Sequence, residues 1–433
     1  MLKRFLIVMY SITFIMIALG CNNERPSPFG MLGTFDYGNY EKAADYAQDI
    51  GVKWNRLRFD YDSFVDENGE IDLDKIVFSD TIVDLALEHD IEMYACVTIY
   101  NATWDDELGS SRNEKNFQKY EYFLSYLVEH YKGRIVYWEI WNEPEADVFW
   151  KPAPNAVIYT QLLKRAYRKA KEANKEAKII GLSSSLWSVD FIEETFQNNA
   201  LNYMDILGLH PYCYLDSNYK SIFEISDEYN RIDDIRDLMI EHHGKIKPLW
   251  VTEVGFPTYK GEFGVSEQRQ AEMLVRSFVM LIVKEVEVIA WYCFINDGFD
   301  ETDNEDNFGI LTNDFNPKKA FLAYKNMTDI LEGYTFARVV TIAEKSKAVL
   351  FKNNENKDIL IAWSFDEIPN TEDGNVVVTT KNIQLTIDGE IENICDIYKN
   401  SVDLPSLVSP VDIEISSSPI YIIGDFDIIN SSQ

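Results

Sequence analysis

The chain has 433 residues, 46% hydrophobic and 14% aromatic, enough apolar material for a large core and more than one domain, which excludes a disordered protein. Its 72 Asp and Glu against 40 Lys and Arg set a formal charge of −32, which repels nucleic acid and anionic membrane and suits a neutral or cationic substrate. The 5 Cys include no CxxC pair and the 5 His no ligand spacing, so no metal site, disulfide framework or cofactor is indicated.

At the N-terminus, Lys3 and Arg4 precede an apolar run from Phe5 to Leu19. It reads as a secretory signal, too short for a span of roughly 20 residues. The stretch "IALGC" resembles a bacterial lipobox, in which the Cys after a small residue is lipidated and becomes the mature N-terminus. That resemblance implies a signal over residues 1–20, lipidation of Cys21 and a tether over 21–28. It also implies a place in the cell envelope, facing periplasm or exterior, with the lipid as the sole membrane contact; plain secretion is the alternative. Removing the signal takes away Lys3 and Arg4 and no acidic residue, moving the formal charge from −32 to −34.

From residue 29 onward strand-like and helix-like segments alternate. The strand-like runs are "FGMLGTF" (29–35), "VKWNRLRF" (52–59), "EMYACVTIY" (92–100), "RIVYWEIW" (134–141), "AKIIGLSS" (177–184), "DILGLHPY" (205–212), "PLWVTEVGF" (248–256) and "EVIAWYCFI" (287–295). Between them lie amphipathic stretches such as "YTQLLKRAYRKAKEA", with apolar residues every three or four positions. Eight strand–helix units over about 300 residues is the arithmetic of a (β/α)8 TIM barrel, placed at 29–334. A doubly wound sheet would carry a Gly-rich phosphate loop after its first strand, and the sequence has none there. Beyond residue 335 the period changes to short runs such as "DILIAWSF" and "PIYIIG", which predicts a small antiparallel β-sandwich over 335–433.

Reactive residues of a TIM barrel sit where strands run into βα loops. In "YWEIWNEPE" an aromatic strand breaks into Asn142, Glu143 and Pro144 at such a point. Pro144 biases Glu143 towards extended backbone. Alternation places Glu139, Trp141 and Glu143 on one face, so Asn142 shares the site only if the strand twists or bulges. Glu253 holds the matching terminal position in "LWVTEVGF". Two carboxyls facing one cavity suit glycosidic bond cleavage: one protonated to donate to the leaving oxygen, the other ionised to attack the anomeric carbon. Glu139, one strand repeat deeper, reads as a buried ion-pair partner of Arg56 or Arg58.

"WEIWNEPE" and "VTEVGF" resemble the strand-4 and strand-7 signatures of the retaining glycoside hydrolases of clan A, notably families 5 and 39. The resemblance implies that Glu143 is the general acid/base and Glu253 the nucleophile, with the two carboxyls about 5 to 5.5 Å apart. It further implies that Asn142 binds the sugar 2-hydroxyl and that His210 of "LHPY" contacts substrate or the acid/base. Tyr212 would donate to Glu253, Arg56 would be the strand-2 arginine, and Trp291 of "AWYCFIND" the platform under the reacting sugar. "TIYNATW" on strand 3 lacks the His that family 5 often has there.

Trp104, Trp150 and Trp187 could stack sugars at outer subsites, and Asp36, Tyr37 and Asn296 are weaker rim candidates. The expectation is thus a cell-surface retaining glycosidase acting on a neutral, β-linked poly- or oligosaccharide. The alternatives are a barrel that binds glycans for uptake without turnover and a metal-dependent hydrolase, the latter disfavoured by the lack of clustered His and Asp ligands at strand ends. The C-terminal sandwich is expected to pack against the barrel rather than bind carbohydrate.

Overall fold

The computed structural model describes residues 26–36, 38–213, 223–355, 357–369, 376–403 and 409–432. The signal segment, Cys21 and Tyr37 lie outside them. In chain order the first part is β1 (Phe29–Leu32), α1 (Tyr40–Asp49), β2 (Trp54–Asp60), a one-turn α2 (Tyr61–Phe64), α3 (Leu73–Glu88), β3 (Glu92–Thr98), α4 (Ser111–His130) and β4 (Tyr137–Ile140). It continues with α5 (Ala156–Ala173), β5 (Lys178–Ser185), α6 (Val189–Gln197), β6 (Ile206–His210), α7 (Asp227–His243), β7 (Leu249–Val254), α8 (Glu267–Val283), β8 (Val288–Trp291) and α9 (Lys319–Leu331). All eight strands are parallel, and β1 pairs with β8 to close the barrel.

Local chemistry starts several of these helices. Asp72, Ser110, Asn155, Ser226 and Ser266 each cap a helix by accepting a backbone N–H of its first turn. Among the described residues no helix is long and apolar enough to cross a membrane.

The barrel interior is layered. Its lower part is plugged by aromatic rings: Trp250 lies 5.0 Å from Trp54 and 4.7 Å from Tyr137, centroid to centroid, and meets Tyr94 edge-on. Val288 and Ala290 of β8 join this inner cluster, while Ile289 and Trp291 belong to the larger core between barrel and helices. One strand repeat above the aromatic plug the inward side chains turn polar, and the site begins there.

After α9 the chain forms β9 (Thr335–Val340), β10 (Ser346–Lys352), β11 (Asp358–Ser364), a ribbon of β12 (Glu367–Pro369) with β13 (Val376–Val378), then β14 (Lys381–Asp396), β15 (Val411–Ile415) and β16 (Ile420–Ser432). The six longer strands make one antiparallel sheet in the order β15-β14-β16-β11-β10-β9. Register shifts at Thr386/Ile387 and Ile391/Asn393 bend its two longest strands, and one face closes over its own apolar cluster. The other face continues the barrel core through Val349, Ile361 and Trp363. Arg276 of α8 grips Glu224 with two bonds of 2.6 and 2.7 Å, and Trp363 Nε1 donates to the same Glu224 at 2.7 Å. All three side chains are buried, so the sheet docks on the barrel through a paired charge rather than through apolar contact alone.

Candidate active site

β4 ends at Ile140, earlier than the sequence pattern suggests, because Trp141 adopts φ 73° and Glu143 φ 45°. This corrects two expectations: Glu143 is left-handed rather than extended, and Trp141 does not share a face with Glu139. Trp141 turns outward into a buried nest with Tyr120, Trp104 and Trp150. The break brings both Asn142 and Glu143 into the site.

β5 makes a matching break. Leu182 and Ser183 have φ 73° and 50°, and the β5–β6 register slips between Leu182 and Ser184. Ser183 thereby hydrogen-bonds Glu139 through its hydroxyl and accepts the Glu143 N–H at 3.1 Å through its carbonyl. Gly208 on β6 makes room, since a Cβ there would lie 2.3 Å from Ser183 Oγ. Each left-handed non-glycine residue costs on the order of 1–3 kcal/mol, and four of them cluster around Glu143.

Arg56 is the hub. It reaches from β2 to Glu139 at 2.5 Å, to Glu253, and to Asn142 Oδ1 at 2.8 Å. Glu139 is fully buried, so the ion pair read from the sequence exists, with Arg56 rather than Arg58. Tyr212 donates to Glu253 Oε2 at 2.9 Å. Burial pushes the Glu253 carboxyl up, but the charges of His210 and Arg56 and the hydrogen bonds from Tyr212 and Arg56 outweigh it and hold it below the usual range. Glu253 is therefore built to stay ionised.

His210, fully buried, sets Nδ1 2.8 Å from Glu143 Oε1 and 3.8 Å from Glu253 Oε2, while Nε2 meets Thr252 Oγ1 at 3.0 Å. Burial lowers the imidazole's proton affinity, yet Glu253 and the hydrogen bond to Glu143 raise it above the ordinary value. A carboxylate oxygen of Glu143, a ring nitrogen of His210 and a carboxylate oxygen of Glu253 lie within 4.8 Å of one another. Such a spacing can also hold a cation, but Arg56 already places a positive charge on Glu253 and the groups satisfy one another by hydrogen bonding.

Trp291 is a correction. It is fully buried, faces the helices and packs on Phe256 at 6.0 Å, so it cannot lie under a sugar. The inward phase of β8 runs through Val288 and Ala290 and therefore reaches Tyr292, which is half-buried beside Glu253. Tyr292 leans on Phe308 at 5.1 Å and donates to Asp297 at 3.2 Å. Counting inward positions from the bottom of β8 is the signal that would have found it.

Of the outer tryptophans, Trp104 and Trp150 are buried and stacked on each other at 4.8 Å, which is loop packing. Trp187 is 48% exposed and donates to Tyr212 O at 3.3 Å, so its ring borders the site. Asn296 is held inside by Lys318 at 2.8 Å, and Asp36 is exposed at the end of β1.

A closed parallel barrel brings carboxylates from the turn after β4 and from β7 together at one end, beside His210. No protein-family model matches the sequence. Among solved structures, the chain is similar to a family 39 glycoside hydrolase from Bacteroides cellulosilyticus WH2, with 18% identity, TM-score 0.73, and coverage of 92% of this chain and 81% of that one. It is also similar to a monomeric β-xylosidase from Caulobacter crescentus CB15, with 13% identity, TM-score 0.59 and coverage of 94% and 98%. A third is an α-L-arabinofuranosidase from Thermotoga maritima, with 11% identity, TM-score 0.58 and coverage of 92% and 97%. At such identities the likeness is one of fold, and it extends through barrel and C-terminal sheet alike.

Proposed function

We propose that the protein is a retaining glycoside hydrolase that cleaves the O-glycosidic bonds of a β-linked, neutral poly- or oligosaccharide by double displacement. The observation that carries the reading is the Glu143–His210–Glu253 cluster, whose facing atoms lie within 4.8 Å. Retaining enzymes hold their carboxyls about 5–5.5 Å apart and inverting ones about 6.5–9.5 Å, to admit a water.

In the first step ionised Glu253 attacks the anomeric carbon while Glu143 gives its proton to the departing oxygen, leaving a glycosyl ester on Glu253. In the second, Glu143 takes a proton from water, whose oxygen displaces Glu253 and frees the sugar. Arg56 and Tyr212 hold the nucleophile in place. Because Asn142 Oδ1 is taken by Arg56, its amide N–H2 is the end that serves the sugar 2-hydroxyl. Tyr292, not Trp291, would lie under the reacting sugar. Asp297, Glu253 and Glu305 surround Tyr292 with negative charge and disfavour an acidic sugar there. Lipidation at Cys21 would keep the enzyme at the cell envelope.

That fold neighbours include a β-xylosidase, an α-L-arabinofuranosidase and a xylanase puts pentosides among the substrates to try first. A barrel that only binds glycans has no need of a nucleophile held ionised, so turnover is the favoured reading. Hydrolysis of an aryl glycoside and oligosaccharide panel, with Glu143→Gln and Glu253→Gln as controls, tests it. Activity lost in both variants supports the proposal, and glycan binding without turnover by the wild type would replace it with the binding barrel.

A further inference from the structure

The loops that follow β7 and β8 enclose a cavity of about 310 Å³ that the catalytic scheme does not use. Lys318 ties its walls together: the buried ammonium donates to Thr258 Oγ1 at 3.0 Å, Asn296 Oδ1 at 2.8 Å and Asn307 O at 3.2 Å. Those bonds use up its three N–H groups, and Lys260, the other cation on the lining, is paired with Glu301. With Glu267 and Asp314 also on the wall, the lining among the described residues offers no free cation to a phosphate or carboxylate.

The polar groups left over suit hydroxyls. Asn296 is 7% exposed and borders the cavity; Lys318 takes its Oδ1, and no acceptor among the described residues takes its amide N–H2. The Asn313 amide donates to Asn296 O at 2.6 Å and keeps its own Oδ1 to accept. The Thr312 hydroxyl accepts the Asn316 N–H at 3.2 Å and keeps its proton to donate. At the rim Phe299 is 78% exposed. The backbone that carries it is fixed, because the Asp300 N–H binds Asp306 Oδ2 at 2.9 Å and the Asn307 amide holds Asp300 O at 2.8 Å and Asp303 O at 2.7 Å. A Cβ at Gly298 would lie 2.1 Å from Asp306 Oδ2, so the turn needs glycine there. A ring held rigidly in water adds little to folding and presents a flat apolar face to a ligand. The same loop joins the cavity to the catalytic centre: Tyr292 donates to Asp297 at 3.2 Å, and Asp297 stands between Asn296 and Gly298 of the lining.

We infer that this cavity is a glycan subsite beyond the reacting sugar, where Phe299 stacks on a second sugar ring and Asn296, Thr312 and Asn313 bind its hydroxyls. The inference rests on the glycosidase reading of the neighbouring centre. A concave space with a few convergent donors and acceptors and one flat apolar face matches a neutral sugar, whose hydroxyls ring an apolar face of its own. A chain whose reacting unit lies over Tyr292 continues past Asp297 and Gly298 to Phe299. The subsite therefore favours oligosaccharides over short glycosides, and its carboxylates disfavour acidic units.

The test compares β-linked hexasaccharides of xylose, glucose and mannose with the aryl glycoside of the same sugar. Phe299→Ala is expected to lower kcat/KM for the hexasaccharide about ten-fold and leave the aryl glycoside within about two-fold. Phe299→Trp should keep the hexasaccharide rate, and Thr312→Val should lower it about five-fold. An unchanged hexasaccharide rate in Phe299→Ala, or equal losses on both substrates, would overturn the inference. Calorimetry on Glu253→Gln gives a reading independent of turnover: adding Phe299→Ala should weaken the hexasaccharide Kd about ten-fold and leave the disaccharide unaffected. Unchanged affinity, or no hexasaccharide bound, refutes the subsite. A hexasaccharide held through Phe299 but never cleaved by the wild type upholds the subsite and sinks the proposed function instead.

Discussion

His210 places Nδ1 2.8 Å from Glu143 Oε1, and its other ring nitrogen is fixed by Thr252 at 3.0 Å. A buried imidazole held at both ends orients the carboxyl it touches. His210→Gln is expected to lower kcat/KM by about a hundred-fold or more while far-ultraviolet circular dichroism stays unchanged.

The same residue carries a pH signature in stability. Its proton affinity is raised in the folded state, so protonated His210 contributes stability that is fully present below the ordinary His range. That contribution is lost as pH rises through the folded value. Urea unfolding of wild type and His210→Gln at a series of pH values should therefore show a stability difference that shrinks from mildly acidic towards alkaline pH.

Arg56 binds Glu139 and Glu253 at once. Arg56→Met would leave Glu139 charged and fully buried, so a loss of about 3–5 kcal/mol in urea unfolding is expected. Adding Glu139→Gln should recover much of the stability and none of the activity, since Glu253 still lacks its cation.

Trp291 and Tyr292 divide structure from function along one strand. Trp291→Phe should cost about 1–3 kcal/mol of stability and leave kcat/KM within about three-fold. Tyr292→Ala should raise KM about ten-fold or more at little cost in thermal midpoint.

At the junction with the C-terminal sheet, Arg276→Leu would strand the fully buried Glu224. The expected cost is about 3–5 kcal/mol, with Trp363 fluorescence reporting the loosened contact.

The barrel was legible because eight apolar runs of the right length alternate with amphipathic helices, and the strand ends at Glu143 and Glu253 announce themselves by placing carboxylates after apolar runs. The Glu139–Arg56 pair was legible for a simpler reason, since a charge one repeat inside a barrel needs a partner. What alternation could not deliver were the places where the backbone leaves it. Trp141, Glu143, Leu182 and Ser183 take left-handed conformations that no glycine or asparagine marks. Alternation therefore does not single out Ser183 as the residue that meets Glu139 and Glu143. The misplacement of Trp291 has another origin: its size suggested a platform, whereas the phase set by Val288 and Ala290 points to Tyr292.

The most direct measurement of the central claim is azide rescue with product anomers read by NMR, using an activated β-glycoside of whichever sugar is cleaved. Glu143→Gly should yield the β-glycosyl azide, because the ester on Glu253 still forms and azide then displaces it. Glu253→Gly should yield the α-glycosyl azide by direct attack. The reverse pairing, or an inverted sugar as the first product of the wild type, would contradict the roles given to Glu143 and Glu253.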